Sequence, residues 1–120
     1  MKISEVITKL AAVKPHQYDD DVLIGWLSDL DRKIYDGIIA GHVGAPDTAP
    51  EVYTSADTSL LVPSPYAELY VYYLTAQVDY SNAEFARYGN SMAMFSAALN
   101  EFSAYYNCTH LPLQPNYVRC

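Results

Sequence analysis

The stretch "SPYAELYVYYLTAQVDY", Ser64–Tyr80, holds five of the chain's twelve tyrosines, and its reading decides the fold. Tyrosine is large, half apolar and polar at its tip. Five together suit a buried core, a base-stacking platform or a partner surface. Helical spacing separates these readings. Tyr66, Leu69, Tyr70, Tyr73, Ala76 and Tyr80 share one face of a helix, and Val71, Leu74 and Val78 fill the adjoining one. Glu68, Thr75 and Asp79 mark a polar strip, with Tyr72 on its flank. A helix apolar around well over half its circumference is packed on several sides. Most of these tyrosines are therefore packing residues. Each buried hydroxyl then needs a hydrogen-bond partner, or it costs about 1–3 kcal/mol. Ser64 suits the cap and Pro65 the first helical position, which starts this helix near residue 64 or 65.

Three further helices surround it. From about Lys2 to Val13, the residues Ile3, Val6, Ile7, Leu10 and Val13 recur at spacings of three and four, and Pro15 limits the far end. From about Asp19 to Ala40, Leu23, Trp26, Leu27, Leu30, Ile34 and Ile38 form a core stripe. Asp19, Asp20 and Asp21 open this helix, where carboxylates cap free N–H groups and oppose the dipole. A second stripe, Ile24, Tyr35 and Ile39, suits contact with another segment or with another chain. Gly89-Asn90 is a local breaker, at which the third helix ends or kinks. The last helix is expected from Asn90 or Ser91, with Met92, Phe95, Leu99, Phe102 and Tyr106 as a heptad-like seam. Its opposite side, Ala93, Ser96, Ala97, Asn100, Ser103 and Ala104, is small and smooth enough for close approach by another helix.

The fold class is thus all-α: a compact bundle of about four helices with a long loop between helices 2 and 3. Residues 1–111 form one helical domain, with the loop over 41–63, and residues 112–120 form an extended tail holding Pro112 and Pro115. Within the loop, Glu51–Thr54 and Ser59–Val62 suit a short β-hairpin around Ser55-Ala56-Asp57. The expected core is Leu23, Trp26, Leu27, Leu30, Ile34, Leu69, Tyr73, Phe95, Leu99 and Phe102.

Composition narrows the function. The formal net charge is -7, and the seven lysines and arginines are scattered, whereas phosphate backbones and anionic membranes need clustered cations. A base-stacking platform needs a basic groove, yet Glu68, Asp79 and Glu84 lie closer to the tyrosines than Arg87 does. No apolar run approaches the roughly 18 residues of a membrane span. Cys108 and Cys120 read as free thiols of a cytoplasmic protein. Catalytic patterns are weak. The three consecutive aspartates point in different directions, and no EF-hand spacing follows. His16, His42 and His110 are far apart, with no paired ligand motif. Cys108 and His110 lack an orienting third group. No glycine-rich phosphate loop is present. The expectation is a protein without enzymatic activity, cofactor or metal.

Leu60–Tyr80 and Asn90–Pro112, together with the opening "ISEVITKL" and the "WLSDLDRKIYDGII" helix, resemble small phage and prophage head–tail connector, or adaptor, proteins. The likeness covers most of the chain apart from Gly41–Ser59 and the last residues. It implies a non-enzymatic helical subunit of a homo-oligomeric ring between the portal and the tail or neck proteins. DNA would pass through that ring without specific binding. The same likeness implies the host cytoplasm as the place of assembly and the virion neck as the final location. Ile24, Tyr35 and Ile39 on the second helix, Tyr53 in the loop, Tyr72 on helix 3 and Tyr117 in the tail are then the candidate subunit or partner contacts. The alternative is a small helical adaptor or regulator that binds one protein.

Overall fold

The computed structural model describes residues 2–14, 18–40, 51–63 and 66–109. They form four α-helices: α1 (Ile3–Val13), α2 (Asp20–Ile34), α3 (Glu68–Ser81) and α4 (Phe85–Thr109). A π-helical turn, Tyr35–Ile39, continues α2. The bundle is all-α, and the described residues contain no strand. α3 lies at the centre, most extensively paired with α4 and also packed on α1 and α2. Leu69, Tyr70, Val71, Leu74, Ala76 and Val78 are all buried, as expected of a helix without a single apolar face.

α1 buries Ile3, Val6 and Leu10, while Val13, expected on the same face, is 66% exposed. Its first N–H groups have no side-chain cap. Ile3 N–H donates instead to Thr58 O at 3.1 Å, and Ser4 N–H to Ala56 O at 2.9 Å. Ser59 forms an antiparallel bridge with Lys2. The hairpin expected within 51–62 is therefore replaced by pairing with the start of α1.

α2 is buried along two lines. Leu23, Leu27, Leu30 and Ile34 face the core as expected, and Trp26 is half-buried against it. The second line runs through Ile24, Ser28, Asp31, Tyr35 and Ile39, all buried. Segment 51–63 covers its polar part and adds Leu60 and Val62 to the core. Asp19 is the N-cap residue, but its carboxylate makes no capping hydrogen bond.

The break between α3 and α4 falls before Gly89-Asn90. Asn82 caps α3, and Ala83 takes the left-handed conformation at φ 59. Ala83 N–H donates to Tyr80 O at 3.0 Å and Glu84 N–H to Asp79 O at 2.9 Å. These two bonds are the Schellman pattern that ends helices, with alanine where glycine is usual. Gly89 and Asn90 lie inside α4, and a Cβ at Gly89 would meet nothing within 4 Å. The expected start of the last helix at 90 or 91 is thus corrected to Phe85. Its seam holds, with Phe95 and Phe102 buried and Met92, Leu99 and Tyr106 half-buried. Tyr73 packs on Phe95 at 5.2 Å and Tyr66 on Phe102 at 6.1 Å between ring centroids. Tyr80 departs from its expected packed face and is 58% exposed. Cys108, near the end of α4, is disulfide-bonded, which corrects the free thiol expected there.

Candidate functional site

Among the described residues, the buried polar side chains gather at two places. The first is Asp31, fully buried on α2. Its Oδ1 accepts the Tyr70 hydroxyl at 2.5 Å. Its Oδ2 accepts the Tyr53 hydroxyl at 2.6 Å and Leu61 N–H at 3.1 Å. The Tyr70 oxygen in turn accepts Val62 N–H at 2.9 Å, and Ser28 Oγ accepts Tyr53 N–H at 3.1 Å. One carboxylate therefore ties segment 51–63 to α2 and α3. Burial pushes the Asp31 carboxyl above its ordinary range, and the donors from Tyr53, Tyr70 and Leu61 oppose that rise. Burial also raises the Tyr53 and Tyr70 phenols, with the neighbouring Asp31 charge adding to it. Both carboxylate oxygens are taken by protein donors, so the arrangement suits anchoring and not proton transfer to a substrate.

The second place is a cleft of roughly 230 Å³ lined by Val13, Lys14, Thr75, Asp79, Arg87, Asn90 and Ser91. Asp79, expected on a polar strip, is only 2% exposed. Lys14 Nζ lies 2.8 Å from its Oδ1, an ion pair whose direction is off that of a hydrogen bond. Ser91 Oγ donates to Asp79 Oδ2 at 3.0 Å. Lys14 also donates to Glu84 at 2.7 Å, and Arg87 lies 3.6 Å from the other Glu84 oxygen. The Lys14 ammonium is held above its ordinary value by Asp79 first and Glu84 second. The charges in this cleft neutralise one another, which suits joining α1 to the α3–α4 turn.

The candidate contact residues are dispersed. Ile24, Tyr35 and Ile39 are 6%, 8% and 6% exposed and belong to the chain's own core. Their burial removes the surface through which they were expected to meet another subunit. Of the two readings of that stripe, packing against another segment is the one observed, because Ser28 and Asp31 bring segment 51–63 across it. Tyr53 is half-buried and spends its hydroxyl on Asp31. Tyr72 is half-buried against the core. Tyr117, with His16, His42 and His110, lies outside the described residues. Among the described residues, no group of three potential ligands converges to hold a metal ion. Among the described residues, no helix is long and apolar enough to cross a membrane.

Sequence reasoning missed Asp31. The available signal was its place in line with Ile24 and Ser28 on the apolar second stripe, with Tyr70 on another helix needing an acceptor.

Much of α4 also faces outward. The helix has 25 residues, of which Phe95 and Phe102 are buried. Ala93, Ser96, Ala97, Asn100 and Ala104 are exposed on its outer side, and Met94 and Tyr105 flank them. No family model, no curated protein and no solved structure matches the chain.

Proposed function

We propose that this chain is a structural subunit of a phage or prophage neck, a head–tail connector that forms a ring between portal and tail. Two things support the reading. One is the resemblance of Leu60–Tyr80 and Asn90–Pro112 to such proteins. The other, which carries it furthest, is the outer side of α4: long and built of small residues, with the exposed Glu101 at its margin. Close helix approach favours small side chains, and a ring needs each subunit to offer a face to its neighbour. The role is assembly without catalysis, in the host cytoplasm and then in the virion neck. The net charge of -7 suits a channel through which DNA slides without sticking.

The test mixes the purified chain with portal rings and follows mass photometry and negative-stain electron microscopy. A ring of this chain seated on the portal is expected, and Ala97→Arg should abolish it while circular dichroism stays unchanged. A strict monomer that never engages portal or capsid defeats the reading. A one-to-one complex with a single protein would favour the adaptor or regulator alternative.

A further inference from the structure

The turn between α3 and α4 presents three aromatic rings. Tyr80 stands edge-on to Phe85 at 5.9 Å and tilted to Tyr88 at 5.3 Å between centroids. Tyr80 is 58% and Phe85 62% exposed, and Tyr88 is half-buried. The Schellman bonds of Ala83 and Glu84 hold the two helix ends that carry them. Large apolar side chains grouped at the surface mark interaction sites, and lone ones do not.

The chain itself carries a matching ligand. Pro112-Leu113-Gln114-Pro115 is a P-x-x-P sequence, flanked by Leu111 and Tyr117. Such segments favour the polyproline II form and dock in aromatic-lined grooves. Charge does not oppose this pairing: Lys14, Asp79, Glu84 and Arg87 beside the tip neutralise one another, and residues 110–120 contain Arg119 and His110 and no acid.

Length decides which copy supplies the ligand. From Phe85 to Thr109, α4 has 25 residues, so at about 1.5 Å per residue its ends are about 36 Å apart. Pro115 is six residues from Thr109, a span of at most about 22 Å at the extended limit of about 3.6 Å per residue. The segment falls well short of its own tip.

We propose that the Tyr80–Phe85–Tyr88 tip is a docking site for the P-x-x-P segment of a second copy of this chain. The contact joins two different patches, the kind that repeats around a ring. It deepens the connector reading and rests on it for the ring alone, because pairwise docking stands without a portal.

The experiment uses a fluorescein-labelled peptide of residues 108–120 with its two cysteines oxidised to a disulfide, as Cys108 is in the chain. The receptor is the full chain carrying Pro112→Ala and Pro115→Ala, so that its own segment does not compete. Fluorescence anisotropy should show saturable binding tighter than about 1 mM. Phe85→Lys in the receptor should weaken it at least about tenfold, as should replacing both prolines in the peptide. If Phe85→Lys alters the circular dichroism spectrum, Tyr80→Lys gives the same readout at the other exposed ring. No saturation, or equal binding to the variant tips, overturns the proposal. Portal recruitment that survives a silent peptide titration would remove this contact and leave the connector. A binding peptide without portal recruitment would do the reverse.

Discussion

Tyr70→Phe removes one oxygen and nothing else. That oxygen donates to Asp31 at 2.5 Å and accepts Val62 N–H at 2.9 Å, in a side chain with no exposure. A hydrogen bond to a charged group contributes about 1.5–3 kcal/mol, and a buried N–H left without a partner costs about 1–3 kcal/mol. The two losses share one site, so they are not fully additive, and about 3 kcal/mol is expected. Unfolding entropy of about 2.1 cal/mol/K per residue gives about 0.25 kcal/mol/K for 120 residues. The melting temperature should then fall by about 12 °C. Urea denaturation followed by circular dichroism is the assay, with the slope expected to match the parent because the surface exposed on unfolding is unchanged. Tyr72→Phe, on the same helix and half-buried, is the control and should change stability by less than about 0.5 kcal/mol. A Tyr70→Phe loss below about 1 kcal/mol would refute the claim that Asp31 anchors segment 51–63 through this hydroxyl.

Two further predictions test the same framework. Because burial raises the folded Asp31 carboxyl above its ordinary value of 3.8, the folded state binds its proton more readily than the unfolded state. Stability from this group therefore falls as pH rises from that value through the raised one, and Asp31→Asn should flatten this slope in urea midpoints taken from about pH 4 to 8. Ala83→Gly should raise the melting temperature, since a left-handed alanine costs about 1–2 kcal/mol and glycine returns part of that as chain entropy.

Helix existence was legible in the sequence because apolar spacing reflects burial directly. The all-round character of α3, the first line of α2 and the Met92–Tyr106 seam all read correctly for that reason. The α3–α4 boundary was not. Glycine inside a helix costs only about 1 kcal/mol, which the packing of α4 outweighs, so Gly89-Asn90 was a false stop. The real stop sits at Ala83, whose side chain carries no such signal. The second line of α2 was legible at Ile24, Tyr35 and Ile39, but Ser28 and Asp31 on it were not, because only a partner segment distant in sequence makes them buried. Asp79 was misread for the same reason, since its cation comes from Lys14.

The first turn of α1 takes its acceptors from Ala56 and Thr58. That arrangement orders events during synthesis. At about 5–20 residues per second, the chain from Ser4 to Thr58 takes roughly 3–11 s to make. An isolated helix of 11 residues is marginal in water. α1 therefore spends those seconds as a fluctuating amphipathic segment with Ile3, Val6 and Leu10 uncovered. It is made before the segment that fixes it, and chaperone capture of nascent chains should concentrate on lengths that stop short of Thr58.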